Sequence, residues 1–320
     1  MAPLSSLTAA SLVAIAWFSV AGWAQTPQAG PPPPASGPLP AQPAINGVIA
    51  AGTKVEVIKG GYGALEGPMP TPDGGLYFTD IRASRIYKLD KKGDIAVWRE
   101  NTAGTNGLFL AKDGRLLAVE STGHRVVAIR PDGSAMPLVT EFGGKPLRAL
   151  NDLFMDKKGG IYFTDPVGQG DTPPSNILYR RPNGEVVLID DQLVFPNGVT
   201  LTLDEKTLIA NDTRSDVVYA YDVQPDGSVK NKRPFAKLLE SPRSGADGLA
   251  VDSKGRLYFT SDTGVQVFDP RGQYLGLIRV PSKARNIAFG GPGRRTLYIT
   301  GPTDLYRVSM LSEGPSGRPK

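Results

Sequence analysis

Short apolar segments recur along the chain, separated by polar turn sequences at regular intervals. Six of them are hydrophobic triplets whose first residues lie 40, 45, 47, 49 and 40 positions apart. The triplets are Leu76–Phe78, Leu116–Ala118, Ile161–Phe163, Leu208–Ala210, Leu257–Phe259 and Leu297–Ile299. A period of roughly 40 to 50 residues is typical of a four-stranded propeller blade. The pattern therefore predicts an all-β fold, a six-bladed β-propeller of four-stranded blades.

The strands within each repeat follow one order. A short apolar strand leads into a tight turn, such as Lys112-Asp113-Gly114, and the triplet strand and a third strand come next. The sixth repeat shows only three strands before the chain ends, whereas residues 54–58 alternate as an extra strand near the N terminus. We expect this N-terminal strand to join the last blade, which would close the ring and cover both sheet edges.

The two ends of the chain have a different composition. Residues 1–24 are typical of a secretory signal peptide, with an apolar segment and a small-x-small pattern at Gly22-Trp23-Ala24. The segment lacks a preceding Lys or Arg, and the alternative is an uncleaved membrane anchor. Cleavage would make the protein periplasmic or secreted and leave it off the membrane. The composition of residues 25–44 predicts a Pro-rich disordered linker. The propeller is expected over residues 45–310, and a disordered tail over residues 311–320.

Composition and charge limit the kinds of fold, partner and active site that the chain could have. The 320 residues include 38 Gly and 29 Pro, which oppose a helical fold. The net charge of +5 is modest, and the absence of long Lys/Arg runs argues against a nucleic-acid groove. With no Cys and one His, His124, thiol catalysis and two-histidine metal sites are excluded. Any bound metal should therefore have oxygen ligands.

One polar residue stands ten or eleven positions before each triplet, where the first strand of a blade begins. The six are Glu66, Asn106, Asn151, Asn197, Asp247 and Asn286. The first strand of a blade lines the central channel, so these side chains should meet at one end of it. Two buried carboxylates require neutralisation, and a hard divalent cation such as calcium accepts carboxylate and amide oxygens. The alternative is that these residues only cap strand starts.

Other polar residues are predicted on the same face. Asp80, Glu120, Asp165 and Asp212 end the second strands, and either cap turns or orient the inner amides through hydrogen bonds. His124 follows in a loop and fits a surface residue. Arg148 lies on another loop, and either remains at the surface or binds a carboxylate or a sugar hydroxyl.

Several of these segments together resemble the gluconolactonase, regucalcin and senescence marker protein family. The similarity covers roughly residues 53–310. The matching motifs are Glu66-Gly67-Pro68, Tyr77-Phe78-Thr79-Asp80, Asn151-Asp152, Tyr162-Phe163-Thr164-Asp165-Pro166, Phe195-Pro196-Asn197-Gly198, Asp247-Gly248-Leu249 and residues 286–292. Animal members place an arginine two residues before the asparagine that matches Asn151, where this chain has Ala149.

The resemblance implies a six-bladed propeller with a calcium or another divalent ion, such as zinc, magnesium or manganese, above the channel. By match, Glu66, Asn197 and Asp247 would be direct ligands, and Asn151 a ligand or a substrate contact. Asp247 would also be the catalytic carboxylate. Asn106, Arg148 and Asn286 complete the candidate substrate-binding residues.

The family resemblance also implies a lactonase that opens sugar lactones such as gluconolactone, with the metal polarising the carbonyl and a carboxylate assisting water. The expected partner is a small-molecule lactone, and the expected state a monomer or weak oligomer. Two alternatives remain, because fold does not fix function. One is a non-enzymatic propeller that binds a ligand or protein, and the other a hydrolase of other esters or phosphoesters.

Overall fold

A computed structural model of the chain describes residues 41–167, 174–239 and 245–318. These residues form 26 strands and a short 3₁₀ helix, and nearly all of the strands belong to six antiparallel four-stranded sheets. The predicted all-β, six-bladed propeller is confirmed. The signal peptide predicted over residues 1–24 lies outside the described residues, as does most of the predicted linker.

Each of the first five blades consists of four consecutive strands, which follow one another from the channel outward. Blade one contains β2 (Leu65–Pro70), β3 (Leu76–Asp80), β4 (Arg85–Leu89) and β5 (Ile95–Glu100). Blade two contains β6 (Thr105–Leu110), β7 (Leu116–Glu120), β8 (Arg125–Ile129) and β9 (Ala135–Val139). A two-stranded hairpin follows, β10 (Glu141–Phe142) and β11 (Lys145–Pro146).

The next blades repeat this order. Blade three contains β12 (Leu153–Met155), β13 (Ile161–Asp165), β14 (Asn176–Arg180) and β15 (Val186–Asp190). Blade four contains β16 (Pro196–Leu201), β17 (Thr207–Asp212), β18 (Val217–Val223) and β19 (Val229–Lys237). Blade five contains β20 (Leu249–Val251), β21 (Leu257–Ser261), β22 (Gly264–Phe268) and β23 (Tyr274–Arg279).

Blade six joins the two ends of the propeller. It contains β24 (Asn286–Gly290), the 3₁₀ helix Pro292–Arg294, β25 (Thr296–Thr300), β26 (Leu305–Ser309) and, outermost, β1 (Val55–Lys59). Strand β1 pairs antiparallel with β26, with Val55 opposite Val308, which confirms the predicted closure. The inner strands contact one another in a complete cycle, in the order β2, β6, β12, β16, β20, β24 and back to β2.

Stacking of blades explains the hydrophobic triplets. The second strands are covered on both faces by neighbouring blades, and all five residues of β13 and of β21 are buried. A strand buried on both faces reads as a continuous apolar segment rather than an alternating one. The turn after β2 includes Gly74 at φ +88°, a conformation that glycine adopts without a steric penalty.

Part of the segment predicted as a linker lies against the propeller. Gln42 is buried, and its side-chain amide donates to the Arg279 carbonyl at 2.9 Å while its side-chain oxygen accepts from the Arg279 N–H at 2.8 Å. This pair of bonds satisfies the outer edge of β23, so the chain is fixed to the propeller three residues before the predicted boundary at residue 45.

No helix within the described ranges is long and apolar enough to cross a membrane.

Residues 311–318, which the sequence predicts as a tail, lie against the propeller. Ser312 is buried beside the Tyr258 hydroxyl, which is 3.0 Å from its Oγ. Gly314 donates its N–H to the Arg294 carbonyl at 2.8 Å, and Arg294 Nε donates back to the Gly314 carbonyl at 2.9 Å. These hydrogen bonds attach the tail to blades five and six.

Arg318 is the furthest tail contact and predicts a measurable stability effect. Its guanidinium donates to Thr200 Oγ1 at 2.9 Å and the Thr202 carbonyl at 3.0 Å, and its Cζ lies 4.5 Å from the centre of the Phe154 ring. We expect Arg318→Ala to lower the free energy of unfolding by about 1–2 kcal/mol, measured by urea denaturation. Arg271→Ala, in an exposed turn, is the matched control, and equal stabilities would show that the tail contact contributes nothing.

Candidate functional site

The six polar residues at the strand starts lie where the sequence predicts them. Glu66, Asn106, Asn197 and Asn286 belong to the inner strands β2, β6, β16 and β24, and they are 1–6% exposed. Asn151 and Asp247 precede β12 and β20 by two residues and are partly exposed. Because the inner strands form one cycle, all six residues lie at the same end of the channel. We call them the polar ring.

Hydrogen bonds connect neighbouring members of the polar ring on one side of the channel. Asn286 Nδ2 donates to Glu66 Oε2 at 3.1 Å, which joins the last blade to the first. Gly248, the residue after Asp247, donates its N–H to the Arg285 carbonyl at 2.7 Å. Asp247 and Glu66, separated by 181 positions in the sequence, are therefore two steps apart around the ring.

Hydrogen bonds also join three further pairs of neighbours in the polar ring. Gly107 donates its N–H to the Asn151 carbonyl at 2.9 Å, and Gly198 donates its N–H to the Asp247 carbonyl at 3.1 Å. Thr164 Oγ1 donates to the Asn197 carbonyl at 2.8 Å, and the Thr164 carbonyl accepts the Asn151 N–H. The structure thus brings together all of the residues predicted from the repeat.

Two glycines explain how the strands come so near one another. Gly67 has φ +45°, and a Cβ there would collide with the Asn106 carbonyl oxygen. A Cβ at Gly198 would collide with the Asp247 carbonyl oxygen. The strand register also shifts at these places, between Glu66 and Met69 and between Pro196 and Val199. Such bulges re-aim side chains, here toward the channel axis.

A row of threonines supports the polar ring, and its role was not predicted from the sequence. Thr79, Thr164, Thr260 and Thr300 occupy the same position in the second strands of four blades. Thr79 Oγ1 donates to the Asn106 carbonyl at 3.0 Å, and Thr300 Oγ1 accepts the Asn286 N–H at 3.1 Å. The repeated Thr after the hydrophobic triplet was the available signal. These hydroxyls fix the backbone from which the ring side chains project.

Four ring oxygens are buried and accept no hydrogen bond from any described residue: Asn106 Oδ1, Asn151 Oδ1, Asn197 Oδ1 and Asp247 Oδ1. A buried acceptor without a donor costs on the order of 1–3 kcal/mol, and finding several at one place calls for a positively charged partner. Asn197 is held with its amide nitrogen donating to Thr213 Oγ1 at 2.9 Å. The donor set of amide and carboxylate oxygens therefore fits a hard divalent cation.

The two ring carboxylates are electrostatically unfavourable in the absence of a cation. Burial, followed by the charge of Asp247, raises the pKa of Glu66 to about 8, while the charge of Arg285 and the bond from Asn286 act in the opposite direction. Burial likewise raises the pKa of Asp247, opposed by the charges of Lys283 and Arg285. In the described part of the chain, no group of three or more His, Cys, Asp or Glu residues could hold a metal ion, so a cation at the ring would need amide oxygens as well as the two carboxylates.

Two of the acids at the ends of the second strands, Asp80 and Asp212, cap loops, whereas Glu120 pairs with Arg99 and Arg125. Asp80 accepts the N–H groups of Gly63 at 2.8 Å and Ala64 at 2.9 Å. Asp212 accepts those of Val194 at 2.8 Å and Phe195 at 3.0 Å. The capping interpretation is confirmed for both residues. The loops that deliver Glu66 and Asn197 into the polar ring are thereby held in place.

Arg148 and His124 lie on loops above the ring. The Arg148 guanidinium donates to the Pro174 carbonyl at 2.5 Å and its Nε is 3.7 Å from Asp165 Oδ2. His124 Nδ1 is 2.5 Å from the Arg148 carbonyl oxygen. These contacts fix the loop, and the predicted role of Arg148 in substrate binding stays a prediction.

The chain is similar to known proteins in both sequence and structure. The family profile described as "SMP-30/Gluconolactonase/LRE-like region" matches residues 65–302. A gluconolactonase of Zymomonas mobilis is 27% identical over 305 residues, covering 85% of this chain and 85% of that protein. Pentonolactonase XacC of Haloferax volcanii is 29% identical over 241 residues, covering 73% of this chain and 80% of that protein.

A solved structure agrees with these sequence matches. A gluconolactonase from Xanthomonas campestris is similar with a TM-score of 0.78 and 29% identity, covering 88% of this chain and 98% of that chain. The matched residues 65–302 contain every member of the polar ring.

Proposed function

Because the chain belongs to the SMP-30/gluconolactonase/LRE-like family, we propose that it hydrolyses sugar lactones at the polar ring with the help of a divalent cation. The similarity to a gluconolactonase and a pentonolactonase supports the reaction. The observation that carries the cation is the set of four buried ring oxygens that accept no hydrogen bond from the described residues.

Four residues would hold the cation. Glu66 and Asp247 supply the carboxylates, and Asn197 and Asn151 supply amide oxygens. Calcium is the preferred ion because it takes several oxygen ligands in irregular geometry, whereas magnesium requires a smaller octahedron; zinc and manganese are the other candidates. When bound, the cation would act as a Lewis acid that polarises the lactone carbonyl and stabilises negative charge on its oxygen.

Asp247 would act as the general base. Its carboxylate lies at the channel mouth beside the other proposed ligands, where it could reach a water molecule that attacks a bound lactone. It takes one proton from water as the water oxygen bonds to the lactone carbonyl carbon. The ring C–O bond then breaks, and the proton passes to the departing ring oxygen, giving a hydroxy acid. Water is the only co-reactant needed.

The other ring members would position the sugar. Asn106 Oδ1 is buried and lacks a donor among the described residues, so it can accept a bond from a sugar hydroxyl. Asn286 donates to Glu66 and would keep that carboxylate aimed at the cation, while retaining its predicted place beside the substrate. Arg148 is proposed as a more distant contact on the loop above.

The site of action proposed for this enzyme is the periplasm or the extracellular space. The support is the signal-like composition of residues 1–24 followed by a Pro-rich segment. A monomer or weak oligomer is proposed, with a small-molecule lactone as its partner.

A substrate panel tests the proposal. The purified protein is assayed on gluconolactone, a pentonolactone, aryl esters and a phosphoester, each with and without a chelator. Chelator-sensitive hydrolysis of the lactones alone is expected. Preferential cleavage of aryl esters or phosphoesters would favour a different hydrolase, and cation binding without any hydrolysis would favour a ligand-binding propeller.

The raised pKa of Glu66 predicts a pH-dependent cation affinity. With a folded pKa of about 8 against an ordinary value of 4.5, the cation-free fold retains a proton that a cation must displace, so binding weakens as pH falls below about 8. The cation-free fold also loses stability as the pH rises from 4.5 to about 8, between the ordinary and the folded pKa of Glu66. The increase in melting temperature caused by calcium should therefore be larger at pH 8 than at pH 6.

Thermal unfolding at matched ionic strength measures this effect. Glu66→Gln is the control, since its weaker calcium binding should give a much smaller shift at both pH values, and a shift equal to that of the wild type would point to ions bound elsewhere. Equal calcium-induced shifts of the wild type at pH 6 and pH 8 would contradict the assignment of Glu66 as a ligand.

A further inference from the structure

Arg285 stands at the edge of the polar ring and has no role in the mechanism above. It directly precedes Asn286, which is buried and bonded to Glu66. The Arg285 carbonyl accepts the Gly248 N–H at 2.7 Å and Thr260 Oγ1 at 3.0 Å, and its N–H donates to the Thr300 carbonyl at 2.7 Å. Its backbone is thus fixed between Asp247 and Asn286, while its side chain is partly exposed.

The guanidinium of Arg285 is placed for a ligand rather than for the fold. Across the described residues it makes no hydrogen bond or ion pair, yet its charge acts on both Glu66 and Asp247. A positively charged side chain near a divalent-ion site weakens ion binding through repulsion, so metal binding does not explain why an arginine stands here. Binding of a negatively charged substrate would explain it.

The surroundings of Arg285 favour an anionic ligand. Two residues before Arg285, Lys283 lies 4.0 Å from Asp262, so that acid is already paired. Other acids at this end of the propeller, such as Asp80 and Asp212, are buried and bonded to backbone N–H groups. The arginines of the same loops, Arg82 and Arg214, are exposed instead. Positive charge at the edge of a binding site concentrates anions and speeds their association.

We infer that Arg285 is a specificity-determining residue that selects sugar lactones carrying a phosphate or carboxylate group in addition to the ester. This inference rests on the proposed lactonase function. A divalent cation would neutralise Glu66 and Asp247, so the charge of Arg285 remains available in the loaded site. Guanidinium binds phosphate and carboxylate through two parallel hydrogen bonds, whereas a neutral lactone offers it only hydroxyl groups.

The test compares matched charged and neutral substrates at saturating calcium. Glucono-1,5-lactone is paired with its 6-phosphate, and glucono-1,4-lactone with glucaro-1,4-lactone, which has a free carboxylate. The wild type should show a higher kcat/KM for at least one charged member, and which one identifies phosphate or carboxylate as the group selected. Arg285→Met should lower the charged-to-neutral ratio by about tenfold or more, and Arg285→Lys should restore part of it. Arg271→Met, in an exposed turn, controls for net charge and should leave the ratio unchanged.

Calorimetry with the products separates failure of this inference from failure of the proposed function. The calcium-loaded wild type should bind 6-phosphogluconate or glucarate more tightly than gluconate, and Arg285→Met should abolish the difference. This binding preference would support Arg285 even if no lactone were hydrolysed. Equal losses for charged and neutral compounds, or no preference in the wild type, would overturn the assignment.

Discussion

Asp247→Asn should reduce kcat for lactone hydrolysis by about a hundredfold or more, the range expected for loss of a general base. The amide keeps an oxygen at the position of Asp247 Oδ1, which is buried and accepts no hydrogen bond from the described residues. It cannot accept a proton from water. The loss should therefore persist at calcium concentrations that saturate the variant.

Rates measured across a calcium titration separate the two roles of Asp247. Weaker calcium affinity with a normal maximal rate would leave Asp247 as a ligand only. Asp216→Asn is a suitable control, because Asp216 pairs with Lys237 at 3.2 Å on an outer part of blade four. Full activity of Asp247→Asn at saturating calcium would rule out the proposed base.

Glu66→Gln should weaken calcium binding by on the order of a hundredfold or more, because the variant removes one of two buried charges that face the cation. The glutamine side chain has the same shape and can still accept the hydrogen bond from Asn286, which is 3.1 Å long in the wild type. The effect should therefore come from charge rather than from a cavity. Lactone hydrolysis at low calcium should fall in parallel.

Without a cation, Glu66→Gln should not lose stability, although its calcium affinity is lower. Burial and the charge of Asp247 both penalise ionised Glu66, so a neutral Gln at this position should leave the cation-free protein as stable as the wild type at pH 8, or more stable. Calorimetric titration with calcium and thermal unfolding in chelator measure the two effects. Glu313→Gln, which changes a surface carboxylate paired with Arg295, serves as the control. An unaltered calcium affinity in Glu66→Gln would show that Glu66 is not a ligand.

The closure of the propeller and the polar ring were predictable because a repeat places equivalent residues at equivalent points. Asn197 and Asn286 each stand eleven residues before their triplets, and any sequence with that phase brings them to one end of the channel. The closing pair of β1 and β26 was predictable for a related reason. A blade with three strands leaves an unpaired edge, and the alternating residues 54–58 could fill it.

Features that depend on contacts between unlike parts of the chain were not predictable. Nothing in the composition of residues 311–318 indicates that Arg318 reaches Thr200 and the Phe154 ring. Gln42 was missed for the same reason, because its partner is the backbone of Arg279. The threonine row was visible as a repeat, but its meaning required the geometry. A hydroxyl supports a neighbouring blade only when the two backbones are known to be close.

In the proposed site, Glu66 and Asp247 face the same divalent ion at the channel mouth. An anomalous-scattering map from crystals of the full chain grown with Mn²⁺, recorded at the manganese absorption edge, tests it directly. We expect one strong peak within about 2.0–2.6 Å of oxygens from both carboxylates and from Asn197. A map with no peak between the two carboxylates, or with each of them bound separately to solvent, would contradict it.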